Sequence, residues 1–545
     1  MSKSLRILIC SSEVVPFAKT GGLADVAGAL PLALSELGHE VRVATPKYAI
    51  INEKEFGLKK LGALEAPIAH RTVKGELWEG EMRGRKEEGR APKAEGEGRR
   101  EAPKSEIRTT DAADGATDSP DGSVSSVVGG SSVSSVVPKA EIRVLFIGQE
   151  GYFDREGLYQ EAGRDYSDNL ARFTFFCRGV LEALKALDWK PDVIHANDWQ
   201  TGLIPTYLKT LYAEDRFFEG VGTVFTIHNL AFQGTFKSEL LSLTGLSWNE
   251  FVPEKLEFYG KLNLMKGGIV YADVLNTVSR QYSTEIQTEE FGCGLEELLR
   301  SRADDLYGVL NGIDYSMWNP ETDGSIARNY GPDDLSGKQV CKRVLQKEMG
   351  LPKRPVPLIG IISRLTDQKG FDLIAEVIEE IMGLDLQLML LGTGMPEYHR
   401  MFEQIGKRYP KKMGVRLAFD NNLAHRIEAG ADMFLMPSRY EPCGLNQLYS
   451  LKYGTVPIVR ATGGLADTIV DYTPERAEKG TANGFVFQEY SGRALLVAIK
   501  RAVATYQDRE TWRKLMQTGM KQDFSWMRSA REYVTLYRKA VSKVG

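Results

Sequence analysis

"LRILICSSEVVPFAKTGGLADVAGALPLAL", residues 5–34, decides how this chain is read. An apolar run, Leu5 to Cys10, gives way through two glycines to a segment in which Leu23, Val26, Ala27, Leu30 and Leu34 share one helix face. A long cationic side chain, Lys19, stands at the handover. The hexapeptide TGGLAD then occurs twice, at Thr20 to Asp25 and at Thr462 to Asp467. Strand, glycine loop and helix in that order form the unit from which doubly wound sheets are built. One copy in each half predicts two such domains.

Working outward, "EVRVAT", "IRVLFIG", "DVIHAND" and "TVFTIHN" follow in the first half, and "VPLIGIIS", "LQLMLLG", "MFLMPS" and "TVPIVR" in the second. Continuous apolar runs separated by amphipathic segments indicate parallel sheets covered on both faces, so the fold class is α/β. The boundary is placed near residue 305, before "YGVLNGIDYSMWNP". Residues 83–138 fit neither series: a charge-rich part precedes a Ser/Gly/Val-rich part that repeats "SVSSVV". Such composition does not bury a core, and the segment is expected to be a disordered insertion between two strands. An inert insertion outweighs a regulatory or partner-binding one.

The length, 545 residues, is ample for more than one core. A formal charge of −4 gives no reason to expect nucleic acid or an anionic membrane as partner. No apolar run reaches the roughly 18 residues that span a bilayer, and no secretion or organelle signal is evident at "MSKSLRILIC". The five cysteines are scattered, without metal or redox spacing, which fits a reducing cytoplasm.

Several strand ends carry chemistry. A helix N-terminus presents unpaired amides and a partial positive charge, so "KTGG" reads as an anion site with an added ammonium and "ATGG" as the same without it. The competing reading is two tight turns that allow close helix packing. Arg364 and Lys369 in "ISRLTDQKGFD" are two cations on one loop, as a diphosphate requires; the competing reading is a solvated loop. Glu441 precedes Gly444 in "MPSRYEPCGLNQLYSLKYG", as a sugar-facing acid or as a helix cap. His195 and His228 end apolar strands and are followed by Asn197–Asp198–Trp199 and by Asn229. A Trp beside an Asp suits a sugar ring. No cluster has metal-ligand spacing.

Together "KTGGLADV", "HANDWQTGL", "TIHNLAFQG", "NGIDYSMWNP", "SRLTDQKGFD", "PSRYEPCGLNQLYSLKYGT" and "TGGLADTI" resemble bacterial glycogen synthases and the related starch synthases. The resemblance spans nearly all of the chain outside 83–138. It implies two Rossmann-like domains facing a central cleft (the GT-B fold) and transfer of glucose from ADP-glucose to the non-reducing end of an α-1,4-glucan such as glycogen. Configuration would be retained, with no metal or other cofactor. Residues 1–305 would form the acceptor-side domain, 306–524 the nucleotide-sugar domain, and 525–545 a helix crossing back to the first. Arg364, Lys369, Glu441 and His228 match the catalytic residues. Lys19, Gly21, Gly22, Asp25, Asp198, Trp199, Asn229, Cys443, Gly444, Leu445, Gly463 and Gly464 match substrate-binding positions, and Phe419 falls where similar enzymes place an aromatic against the base. Two other readings remain: an α-glucan phosphorylase-like enzyme with pyridoxal phosphate on Lys452, and a non-catalytic glucan-binding scaffold.

Overall fold

The computed structural model describes residues 3–83, 141–161 and 163–545. The expected insertion, 83–138, lies outside the described residues except for Arg83, which ends a strand. Among the described residues the main sheets number two.

The first contains β1 (Arg6–Cys10), β2 (Glu40–Pro46), β3 (Lys59–Ile68), β4 (Arg71–Arg83), β5 (Glu141–Gly148), β6 (Val193–Asn197), β7 (Gly222–Ile227), β8 (Val274–Thr277) and β9 (Leu306–Gly308). Their spatial order is β9-β8-β7-β6-β1-β2-β5-β4-β3. Pairing is parallel from β9 to β5 and antiparallel for β4 and β3. Burial follows the sequence pattern. β6, β7 and β8 are buried at every residue, while β3 and β4 expose many of theirs, as antiparallel strands with one wetted face do.

The second sheet is wholly parallel: β10 (Leu358–Leu365), β11 (Gln387–Gly394), β12 (Met413–Arg416), β13 (Met433–Met436), β14 (Val456–Arg460) and β15 (Phe485–Phe487), in the order β12-β11-β10-β13-β14-β15. Strand order reverses between β1 and β6 in the first sheet and between β10 and β13 in the second. Crevices open at such switch points beyond the strand C-termini. The lysine–glycine loop follows β1, "HANDW" spans the end of β6, Arg364 and Lys369 stand at the end of β10, and Glu441 follows β13.

Helices α1 (Gly22–Glu36), α2 (Arg280–Glu285), α3 (Asn446–Lys452), α4 (Gly463–Thr468) and α5 (Trp526–Val544) frame these loops. α5 buries Trp526, Ala530, Tyr533, Tyr537 and Ala540, a stripe at helical spacing, and packs on α1 and β7 of the first half. The boundary expected at residue 305 falls slightly early. Leu306 pairs with Leu275 inside the first sheet, so the chain leaves that sheet only after Gly308.

Candidate active site

The first glycine loop is organised from below by a residue that the sequence did not single out. Glu13 is buried, and its carboxylate accepts the Thr20 N–H at 2.5 Å, the Thr20 hydroxyl at 2.5 Å, the Gly21 N–H at 3.0 Å and the Tyr159 hydroxyl at 2.8 Å. The expectation that these amides stand open to an anion is therefore corrected: an internal carboxylate already holds the Thr20 and Gly21 amides. Lys19 Nζ lies exposed at 2.7 Å from Asp25 Oδ1. Burial raises the Asp25 pKa, and the Lys19 ammonium opposes that rise. A Cβ placed on Gly22 would stand 3.8 Å from Leu445 Cδ1, so the loop meets the "EPCGL" segment of the other half.

On the second half, Lys369 Nζ donates to Glu441 Oε2 at 2.7 Å, and the Ser438 hydroxyl donates to the same oxygen at 2.9 Å. Glu441 is buried. The helix-cap alternative fails on geometry: α3 begins only at Asn446, with Leu445 as the residue before its first turn and no side-chain cap. The Asn446 side chain instead donates to the Ile362 carbonyl at 2.7 Å. Cys443 is buried, which lifts its thiol to about 12. Gly444 has a left-handed φ of 71°. Arg364 is exposed and makes no ion pair among the described residues.

The second TGGLAD loop does different work from the first. The Gly464 N–H donates to the Glu441 and Pro442 carbonyls, both at 3.1 Å. A Cβ on Gly463 would meet the Glu441 oxygen at 2.0 Å, and one on Gly464 the Cys443 oxygen at 1.9 Å. These glycines exist for close backbone approach. The Gly463 N–H is taken by Glu285, so the open anion cradle expected here is corrected as well.

Across the cleft, His228 Nε2 lies 2.9 Å from Asn197 Oδ1, and removal from water holds its pKa down at about 3, leaving the ring neutral at working pH. Its backbone N–H donates to Asp198 Oδ1 at 2.8 Å. Asp198 adopts φ 57°, ψ 178°, a region that non-glycine residues rarely occupy, and burial raises its carboxyl to about 7. Burial also raises the Tyr440 phenol, and the Asn229 side chain opposes that rise. Trp199, the expected sugar platform, is half-buried. Its ring meets Phe173 edge-on at 5.0 Å, and Gly234 lies so close that a Cβ would come within 2.3 Å of it. His195 is a core residue: its nitrogens lie 2.9 Å from the Tyr537 hydroxyl and 2.6 Å from the Thr226 hydroxyl. Phe419 is 86% exposed on the loop after β12.

Lys452, required by the phosphorylase alternative, lies 5.0 Å from the Tyr315 ring centroid. Among the described residues no group of three or more His, Cys, Asp or Glu side chains is placed to hold a metal, and no helix is long and apolar enough to cross a membrane.

Two sheets carry facing loop clusters, an acid–lysine pair on one and a lysine–glycine loop on the other, and so define an α/β protein with a candidate site between its halves. Comparison narrows the class. Residues 6–88 and 105–301 match the family described as the starch synthase catalytic domain, and residues 346–517 match glycosyl transferases group 1. A glycogen synthase of Syntrophotalea carbinolica is 43% identical, covering 98% of this chain and 99% of its own. One from Desulforudis audaxviator is 46% identical over 99% and 98%. Among solved structures, the catalytic domain of starch synthase IV from Arabidopsis thaliana, bound to ADP and acarbose, superposes with a TM-score of 0.82 at 32% identity, covering 99% of this chain and all of that one. The chain belongs to the glycogen and starch synthase family.

Proposed function

We propose that this glycogen (starch) synthase takes its glucosyl unit from ADP-glucose and adds it to the non-reducing end of an α-1,4-glucan with retention of configuration. The observation that carries this reading is the buried Lys369–Glu441 pair of the second half together with the approach of the first glycine loop, through Gly22, to Leu445 on the segment that follows Glu441. The likeness to a starch synthase bound to ADP and acarbose supports a nucleotide donor and a glucan acceptor.

In this reading Arg364 and Lys369 hold the donor diphosphate, and their charge offsets that which develops on the leaving ADP. Lys19 reaches the same diphosphate from the first half. Glu441 faces the sugar, whose anomeric carbon becomes oxocarbenium-like, and Lys369 stays beside it to share charge between acid and phosphate. Neutral His228 hydrogen-bonds the glucosyl 6-hydroxyl. Asp25, Asp198, Trp199 and Asn229 line the sugar and acceptor cleft, and Cys443, Gly444, Leu445, Gly463 and Gly464 shape its floor. Exposed Phe419 offers a flat face to the purine. Asp25 is tied to Lys19, and Asp198 to a backbone amide, which leaves neither placed as a covalent nucleophile. Same-face attack by the acceptor, with the departing phosphate as base, therefore fits better than double displacement. The five unpaired cysteines support a reducing cytoplasm as the compartment.

Glucosyl transfer to glycogen, measured in parallel with ADP-glucose and UDP-glucose, tests the donor assignment. The expected result is a higher kcat/KM for ADP-glucose. An equal or higher value with UDP-glucose overturns it.

A further inference from the structure

Helix α2 of the first half is gripped at both ends by the second TGGLAD segment. At its start, Asp467 accepts the backbone N–H of Arg280 at 2.6 Å and of Gln281 at 3.1 Å. At its end, Glu285 accepts the Gly463 N–H at 3.0 Å and the Thr462 hydroxyl at 3.2 Å. Each half thus gives one carboxylate to the other's backbone. Glu285 is buried, which shelters its bonds from the water that weakens exposed ones, while Asp467 is exposed.

The segment gripped in this way is the one that touches the acid. The Gly464 N–H bonds to the Glu441 carbonyl at 3.1 Å, and Gly463 lies so close that no Cβ would fit beside the same oxygen. A continuous path runs from the Glu285 carboxylate through the Gly463 and Gly464 backbone to the Glu441 backbone. We propose that Glu285 is a positioning residue for glucosyl transfer: with Asp467 it forms a two-way clamp by which the first half sets the place of Glu441. The clamp rests on the reading of Glu441 as the acid that faces the sugar. It makes no contact with Arg364 or Lys369, the groups assigned to the diphosphate.

Steady-state kinetics, ADP titration and hydrogen exchange on Glu285→Ala, Glu285→Gln and Asp467→Ala test it. Glu285→Ala is expected to lower kcat by about tenfold or more while the Kd for ADP changes by less than about threefold. The peptide covering 462–467 loses protection at the same time, and β10 does not. Glu285→Gln keeps an oxygen for the Gly463 N–H and is expected to recover most of kcat. Asp467→Ala, at the other end of the clamp, gives a kcat loss like that of Glu285→Ala. Wild-type kcat in either alanine variant overturns the proposal, as does a Gln variant as impaired as the Ala one, or lost kcat with protection of 462–467 unchanged. Glu441→Ala in the same series separates the two levels. If it turns over normally, the reading of Glu441 falls and the clamp with it. If it is inactive while Glu285→Ala is normal, only the clamp falls.

Discussion

Asp198 combines a rarely occupied backbone conformation, a hydrogen bond from the His228 amide and a carboxyl raised to about 7. An ordinary Asp titrates near 3.9, so between about pH 4 and 7 the folded chain binds this proton more tightly than the unfolded chain. The stabilisation is complete below the unfolded value and is lost as pH rises through about 7. Asp198→Asn, uncharged throughout, is therefore expected to gain in Tm over the wild type as pH rises from about 4 to 7 and to level off above, by about 2 °C or more. Melting curves of both proteins from pH 4.5 to 8.5 check it, and a pH-independent difference contradicts it. Glu441→Ala is expected to lower kcat by about a hundredfold or more with little change in ADP affinity, since its carboxylate faces the sugar in our reading; kinetics and titration on one preparation decide. Glu441 and Lys369 were legible in the sequence because each follows a buried strand at a switch point. Glu13 and Glu285 were not. A buried carboxylate that binds loop amides leaves no local motif, and Glu285 meets a partner at Gly463, far along the chain. The contacts of Trp199 with Phe173 and Gly234 were not legible either, because they are set by tertiary packing.

At the level of elements, one hexapeptide has two uses. In the first copy Gly21 has open space where a Cβ would go and an extended backbone, and Glu13 caps the loop within the same half. In the second copy both glycines press on the Glu441–Cys443 backbone, and the cap comes from the other half. Gly21→Ala is accordingly expected to leave Tm within about 1 °C of wild type, whereas Gly464→Ala, which must displace the Cys443 carbonyl, is expected to lower Tm by several degrees, at about 2 °C or more per kcal/mol, and to reduce kcat. Thermal melts of the pair settle the contrast, and equal effects contradict it. The repeat itself announced two strand–loop–helix units correctly. It did not announce the division of labour, because identical residues take their role from what packs against them. β9 escaped notice for a simpler reason: three residues, Leu306–Gly308, are too short to register as an apolar run.

Across the whole molecule, the alternation of apolar runs and amphipathic segments was enough to reach two doubly wound sheets, because parallel strands buried on both faces leave a continuous signature. The connection between β4 and β5 bears on what the chain needs. Arg83 and Glu141 are ladder partners, so the segment between them leaves and re-enters at one point. Replacing residues 84–140 by a two-residue Asn-Gly turn is expected to preserve folding and most of the synthase activity, because a tight turn closes such a ladder and loop length changes closure entropy only slowly. Loss of soluble, folded protein on that replacement contradicts the expectation. The central claim is that the site is completed across the cleft, with Lys19 supplied by the first half to a donor held mainly by the second. Lys19 is exposed and paired with Asp25, on a loop whose Gly22 stands against Leu445 of the second half. The most direct measurement is kcat/KM for ADP-glucose, with the Kd for free ADP alongside, on Lys19→Ala and wild type. The result expected is a fall in kcat/KM of about a hundredfold or more with a much smaller loss of ADP affinity; wild-type kcat/KM in Lys19→Ala would contradict the claim.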